Sequence, residues 1–294
     1  MKLSIVLISN PAAKKASDRK IAMASYYLQS KGCTVEVLFT EKRGDAESLA
    51  KEALKKSPSL VIAAGGDGTI NEVINGITGT ETPLAILPLG TTNVLAKELG
   101  IPETVEAAMK IAISRAPRSI SLGRIVYTHY SSLITRYFCL MAGIGFDGEA
   151  VFRISEAIKK MSGKGAYILS GLNTLSKFNP EKLTFSINGL TYAGYSAIIG
   201  NAAKYGGHFR VTPDARLTDP YLYICLFKGK KRLDLIRYVL GIVTGRHLAF
   251  QDIEYLKAES IEIQGKAHIQ IDGDYLGMTP AKIDIVRDAL RLIF

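Results

Sequence analysis

The sequence predicts two domains, an α/β domain on a parallel sheet followed by a mainly antiparallel β-sandwich. Three observations carry this. The chain has 294 residues, more than the roughly 100–200 of one domain. Up to about residue 114, strand-like and helix-like runs alternate strictly, as in a parallel sheet covered on both faces. From residue 183 onward, short strands separated by turn signals dominate. The boundary falls near residues 117–122.

Each element has its own warrant. Residues 3–9 form an apolar run that leaves the sheet at Asn10-Pro11. Residues 18–31 carry Ile21, Ala24, Tyr27 and Leu28 at helical spacing, with Gly32 just past the end. A β-branched run at 34–39 is followed by a helix at 45–56, with Ala46, Leu49, Ala50, Ala53 and Leu54 on one face. Strands at 60–64 and 84–87 each lead through a glycine cluster into a helix, at 69–75 and 93–99, and Gly100 and Pro102 end the latter. After a helix at 103–114, strands are expected at 120–127 and 136–142, and one or two helices within 149–178. Strands follow at 183–187, 192–200, 221–227, 260–264, 267–271 and 282–286, with a helix at 233–243. Asn188-Gly189 and Gln264-Gly265-Lys266 read as hairpin turns.

Composition narrows the function classes. Hydrophobic residues at 47% and charged residues at 22% exclude disordered, collagen-like and coiled-coil chains. Lys and Arg outnumber Asp and Glu by 37 to 27, a formal charge of +10 that suits an anionic partner. Cys33, Cys139 and Cys225 are odd in number and scattered, which gives neither a disulfide framework nor a zinc site and fits a reducing cytoplasm. No apolar run approaches the roughly 18 residues of a membrane span.

Four glycine-bearing turns carry the chemistry. Gly65-Gly66-Asp67-Gly68-Thr69 lies between an apolar strand and a helix, where backbone N–H groups can approach a phosphate. Asp67 would repel a bare phosphate and makes sense if it holds Mg²⁺ or its waters; the plain alternative is a tight strand-to-helix turn. Pro88-Leu89-Gly90-Thr91-Thr92-Asn93 repeats the geometry, with Thr91 and Thr92 able to cap the helix or bind a nucleotide. Two such turns at strand carboxyl ends favour a nucleotide. Gly143-Ile144-Gly145-Phe146-Asp147-Gly148 lines a cleft or is an irregular strand end. Asp272-Gly273-Asp274 is a common hairpin turn, or supplies a carboxylate that takes a hydroxyl proton. If that strand stays regular, its two carboxylates share one face. The apolar helix at 233–243 has Lys228, Lys230, Lys231 and Arg232 before it and Arg246 and His247 after it; it either packs on its own sheet or lies on an anionic bilayer. His129, His208, His247 and His268 form no ligand spacing.

These residues together resemble the diacylglycerol kinase catalytic family, in particular its bacterial lipid kinases, with sphingosine kinases as relatives. The matching runs are Ser9-Asn10-Pro11, Thr40, Gly65 to Gly76, Pro88 to Asn93, Gly143 to Asp147, Pro213 to Asp219 and Asp272-Gly273-Asp274, in the family's order. GGDGT alone also occurs in NAD kinases and phosphofructokinases. The resemblance implies an α/β nucleotide domain over residues 1–122, to which residues 281–294 return, and a β-sandwich lipid domain over 123–280. It implies that Asn10, Thr40, Gly65, Gly66, Asp67, Gly68, Thr69, Ile70, Asn71, Glu72, Gly90, Thr91 and Asn93 contact ATP, with Asp67 serving Mg²⁺. It implies a structural Mg²⁺ near Arg216, Asp219 and Tyr221, and a proton acceptor in the Asp-Gly-Asp turn: Asp274, or Asp272 in its place. Asp274 stands where the family has Glu, Pro220 where Gly is common and Val94 where Asp is frequent; Ala12-Ala13-Lys14-Lys15 replaces a Ser-Gly turn. The expected activity is ATP-dependent phosphorylation of a lipid hydroxyl, most simply that of diacylglycerol, by a cytoplasmic protein visiting the inner face of an anionic membrane. No nucleic-acid partner is expected, and a homodimer is left open. The alternatives are an NAD kinase-like enzyme with a soluble acceptor and a non-catalytic nucleotide or lipid binder.

Overall fold

The computed structural model describes residues 3–11, 14–160 and 179–294. Ala12, Ala13, the Lys14 and Lys15 side chains, and the part of the expected helical segment beyond residue 160 lie outside what it describes. The chain divides into two compact units, Met1–Leu122 with Arg287–Phe294, and Gly123–Val286.

In the first unit, β1 (Ser4–Ser9), β2 (Thr34–Phe39), β3 (Leu60–Gly65) and β4 (Leu84–Pro88) pair in parallel in the order β2-β1-β3-β4. The helices α1 (Lys14–Ser30), α2 (Asp45–Leu54), α3 (Asp67–Ile77), α4 (Val94–Leu99) and α5 (Val105–Ser114) connect and cover them. β3 and β4 are buried along their whole length, which is why they read as continuous apolar runs without alternation. Parallel pairing places all four strand ends on one edge, and the glycine turns follow from that edge.

The second unit is the sandwich. One sheet has the order β14-β13-β10-β7-β16-β17, from β14 (Ile253–Ala258), β13 (Leu222–Phe227), β10 (Ser196–Gly200), β7 (Met141–Ile144), β16 (His268–Ile271) and β17 (Asp274–Met278). The facing layer contains β8 (Leu183–Ile187), β9 (Leu190–Gly194) and β15 (Ser260–Gln264), together with β5 (Arg118–His129) and β6 (Ser132–Phe138). Ile125, Phe138 and Phe185 from this layer pack with Ile199, Ile224 and Ile269 from the other. Among the described residues the unit also has a short hairpin, β11 (Lys204–Tyr205) with β12 (Phe209–Arg210), two α-helices, α6 (Phe146–Lys160) and α7 (Arg232–Val243), and a 3-10 turn at His247–Ala249. The last strand, β18 (Ala281–Leu292), begins in the second unit and ends in the first, where Leu292 pairs with Leu84.

Three expectations need correction. The run at 136–142 is two strands, β6 and β7, in different sheets. The run at 192–200 is likewise split between β9 and β10 at Tyr195. Alternating apolar residues report burial, not which sheet buries them, so a strand that changes sheets reads as one. For the same reason Gln264-Gly265-Lys266 is not a hairpin turn: β15 pairs with β18 and β8, while β16 pairs with β7 and β17. Asn188-Gly189 is a hairpin turn, with both φ values positive (52° and 78°).

Candidate functional site

In the first unit, most of the expected nucleotide residues follow the carboxyl ends of the four parallel strands. Asn10 follows β1, Thr40 follows β2 and donates its N–H to Ser9 O at 2.9 Å, and Leu89 N–H reaches Gly65 O at 2.9 Å. The two glycine turns touch backbone to backbone. A Cβ on Gly90 would lie 2.6 Å from Gly66 Cα and 2.8 Å from Asn93 Oδ1. A Cβ on Gly65 would lie 2.7 Å from Thr69 Cβ, and Thr69 Oγ1 accepts from Asn10 Nδ2 at 3.4 Å. Glycine is required here by close approach. The N-cap of α3 is Gly66, with no side-chain cap, so no side chain competes for the helix's positive end.

The acidic residues of the first turn also hold neighbouring helices. Asp67 accepts from Val94 N–H at 3.1 Å and Leu95 N–H at 3.2 Å, and so caps α4 from 27 residues away. Thr91 and Thr92 are exposed and do not cap it; the cap position is Asn93, at φ 48°. Glu72 accepts from Gly44 N–H at 2.9 Å and Ala46 N–H at 3.1 Å, at the start of α2. Both carboxylates therefore point at neighbouring helix N-termini, which explains how acids are tolerated beside an anion cradle. Ile70 turns its side chain into the core, Asn71 Oδ1 accepts from Asn75 Nδ2 at 3.1 Å, and Gly68 lies in the first turn of α3. Two buried atoms beside these turns, Ser9 Oγ and Asn93 Oδ1, have no hydrogen-bond partner. A close-packed glycine cradle at a helix N-terminus, with the Ser9 hydroxyl beside it able to donate, fits a phosphate-bearing nucleotide.

In the second unit, Asp272 (φ 49°) and Gly273 (φ 90°) form a two-residue turn between β16 and β17, with Ile271 paired to Asp274. The strand is thus not regular through the motif, and the expected sharing of one face does not hold. Asp272 accepts from Cys139, Leu140 and Met141 N–H groups at 2.8, 2.9 and 2.9 Å. It clamps the point where the chain leaves β6 for β7. Asp274, half-buried, begins β17.

The same turn is tied to a buried carboxylate that the sequence reading left unassigned. Gly273 N–H donates to Gln270 Oε1 at 2.8 Å, Gln270 Nε2 donates to Asp147 Oδ2 at 2.6 Å, and Tyr205 O–H donates to Asp147 Oδ1. Burial pushes the Asp147 carboxyl up from its ordinary value, against the lowering effect of its two donors. Burial and the Asp147 charge together push the Tyr205 phenol well above its ordinary value. The glycines of the 143–148 cluster make this arrangement possible. A Cβ on Gly143 would fall 1.8 Å from Asp147 Oδ2, and one on Gly148 would fall 2.2 Å from His268 O. Asp147, Tyr205, Ser196 and Tyr238 also line a cavity of about 220 Å³ whose walls are otherwise apolar, with Phe227 and Ile198 from the sheet, Phe209 from the hairpin, and Leu235, Val239 and Val243 from α7.

Arg216 and Asp219 close a tight turn on themselves. Asp219 N–H donates to Arg216 O at 2.9 Å, and Asp219 Oδ2 accepts from Arg216 N–H at 3.2 Å. The Tyr221 ring lies under Lys257 Nζ, 4.5 Å from its centroid. Among the described residues, no group of three or more His, Cys, Asp or Glu side chains lies together as a metal cage. A Mg²⁺ in this turn would rest on the Asp219 carboxylate and on backbone carbonyls, and Mg²⁺ carried on nucleotide phosphates needs only one or two carboxylates. His247 is buried, with Nε2 2.9 Å from Val211 O, and His268 stacks on Phe152.

Comparison with known proteins agrees with both units. Residues 4–125 match the family model described as the diacylglycerol kinase catalytic domain, and residues 141–294 match the YegS C-terminal NAD kinase beta sandwich-like domain. The chain is 29% identical over 289 residues to a diacylglycerol kinase of Bacillus subtilis (strain 168), covering 96% of this chain and 93% of that protein. It is 28% identical over 284 residues to a diacylglycerol kinase of Staphylococcus aureus (strain bovine RF122 / ET3-1), covering 94% and 87%. A crystal structure of a diacylglycerol kinase from Bacillus anthracis str. Sterne shares the fold, with a TM-score of 0.75, 24% identity, and coverage of 99% and 96%. A yeast NADH kinase structure shares it more loosely, with a TM-score of 0.53, 11% identity, and coverage of 99% and 83%. With an α/β glycine cradle in one unit and a matching β-sandwich in the other, the chain belongs to the diacylglycerol kinase catalytic family and is a kinase.

Proposed function

We propose that the protein transfers the γ-phosphoryl group of ATP to a lipid hydroxyl, most simply that of diacylglycerol, giving phosphatidic acid. One observation carries the lipid half of this reading. The second unit holds a largely apolar cavity whose one carboxylate among the described residues, Asp147, is tied through Gln270 to the turn that bears Asp274. An apolar wall with one polar end suits a molecule with a chain and a hydroxylated head. The glycine cradle supports ATP as donor, with Asn10, Thr40, Gly65 to Glu72, Gly90, Thr91 and Asn93 around it.

Phosphoryl transfer asks little covalent work of a protein; alignment and charge neutralisation do most of it. Mg²⁺, when carried by the nucleotide, supplies neutralisation at the phosphates. In the reaction, the acceptor oxygen forms a bond to the γ-phosphorus, the bond to the β-phosphate oxygen breaks, and ADP leaves. The hydroxyl proton passes to Asp274. Asp272, with its oxygens on three N–H groups, is suited to hold the turn and not to take that proton. The setting is the inner face of an anionic membrane, visited peripherally.

The test is labelled ATP with Mg²⁺ against a panel of diacylglycerol, phosphatidylglycerol, sphingoid base, isoprenoid alcohol and NAD. Labelled phosphatidic acid is the expected product. Label in another lipid would move the acceptor, and label only in NADP, or in nothing, would overturn the reading.

A further inference from the structure

Helix α7 has two apolar faces, and among the described residues only one of them is covered. Leu235, Tyr238 and Gly241 are buried, and a Cβ on Gly241 would lie 2.6 Å from the Phe250 ring. On the outer side, Leu233, Ile236, Leu240 and Val243 recur at intervals of three and four residues, with Val239 beside them, and are 76%, 43%, 58%, 52% and 46% exposed. Single exposed apolar residues are ordinary, whereas five on one helical face mark an interaction surface.

The charges around this face choose the partner. Lys230, Lys231 and Arg232 stand at the helix's start, Arg246 lies just past its end, and Arg210 lies on the hairpin that α7 contacts; all five are exposed. The acidic groups nearby are engaged locally. Asp234 accepts from Lys231 N–H at 3.0 Å, Asp252 takes Arg237 and Tyr238, and Glu254 takes Lys228 at 2.5 Å. An apolar stripe with a basic rim is the pattern of a helix lying in the headgroup region of an anionic bilayer. Each basic residue near such a surface adds to the attraction. A second copy of this chain seated on the same face would bring two basic rims together, which like-charge repulsion opposes.

The cavity described above meets this face. Val239, Val243 and Phe209 (43% exposed) both line the cavity and belong to the exposed patch, whereas Asp147 lines it from the buried side. We propose that the outer face of α7, with Phe209 of the hairpin, is the protein's bilayer-docking surface, and that an acyl lipid passes from the anionic bilayer into the cavity between them. The docking half stands independently of the reaction; the passage of lipid rests on the lipid-kinase reading.

The test uses the full chain and vesicles of phosphatidylglycerol or phosphatidylcholine. The wild type should co-sediment with the anionic vesicles, and less so as salt rises. Leu233→Ser with Leu240→Ser, which leaves the cavity walls untouched, should lower that partition by about tenfold or more. Lys231→Gln with Arg232→Gln should weaken it on anionic vesicles alone. Phosphorylation of vesicle-embedded diacylglycerol should fall in step with partition, while phosphorylation of a short-chain, water-dispersed diacylglycerol stays at the wild-type rate. A wild type that ignores anionic vesicles, or a leucine variant that binds them as the wild type does, overturns the docking surface. So does a wild-type dimer in light scattering that the leucine variant converts to monomer, because the face is then a subunit interface. If vesicle binding behaves as described but no lipid is phosphorylated, the kinase reading fails and docking stands.

Discussion

The two units make their sites by opposite means. The first builds from backbone: Gly66 and Gly90 touch through their main chains, and the two acids of the motif, Asp67 and Glu72, point away to cap α4 and α2. The second builds from buried side chains: Tyr205, Asp147 and Gln270 form a polar chain that ends on the turn before Asp274. A backbone site is sensitive to added volume and tolerant of changed function groups. A side-chain site is sensitive first to the loss of a functional group. Each region should therefore break under a different kind of substitution.

The largest effect is expected where chemistry depends on one group. Asp274→Asn keeps size and removes the proton acceptor, so turnover should fall by about 10²–10⁴-fold with ATP affinity nearly unchanged. Steady-state kinetics against diacylglycerol and ATP measure both. If Asp274→Asn is nearly silent while Asp272→Asn is inactive and still folded, the roles within the turn are exchanged.

A smaller effect, of opposite origin, is expected in the first unit. Gly90→Ala adds one methyl group with no change of charge. That methyl would sit 2.6 Å from Gly66 Cα, a backbone atom that cannot rotate away. Overpacking of this kind costs about 1–3 kcal/mol. Because both loops must part to admit the methyl, nucleotide affinity should fall along with the melting temperature. An alanine variant that binds ATP like the wild type would show that the loops do not need their close approach.

The same contrast explains what the sequence made legible. Glycine-rich turns after apolar strands announce backbone sites, so Gly65 to Thr69 and Gly90 to Asn93 stood out by pattern alone. Long-range partners leave no such mark. Nothing between Asp67 and Val94 announces that a carboxylate will cap a helix 27 residues on, and the threonines nearest that helix were the plausible caps. Asp272 is separated by 131–133 residues from the N–H groups it clamps, and that clamp is where the run at 136–142 breaks into two strands. Asp147 lay inside a visible glycine cluster, but Tyr205 comes from a segment with no motif and Gln270 from a strand whose pattern says nothing of its partner. The signal that could have found it is Gly143 itself, which leaves room for the carboxylate. The outer face of α7 was hidden by its spacing: the stripe Leu233, Ile236, Leu240, Val243 is as regular as the packed one, and periodicity cannot say which of two apolar faces is covered.

The smallest effect tests the buried end of the second unit through pH. Burial raises the Asp147 carboxyl in the folded state, while the unfolded chain keeps the ordinary aspartate value near ~3.9. Between those two values the folded protein binds more protons than the unfolded one, so stability falls as pH rises through the window. The stabilisation is complete below the unfolded value and lost above the folded one. Above the folded value the ionised Asp147 is thus held at a cost, offset by the donors Tyr205 and Gln270. Asp147→Asn removes the titration. Its Oδ1 can still accept from Tyr205, but its amide would face the Gln270 amide, and Gln270 cannot turn over without giving up Gly273 N–H. The variant's melting temperature should therefore lose this downward component as pH rises above the unfolded aspartate value, while its turnover drops because the turn bearing Asp274 is less firmly held. Parallel melting curves for the two proteins across that range would show that Asp147 does not titrate there, and an unchanged turnover would show that the polar chain does not position the turn.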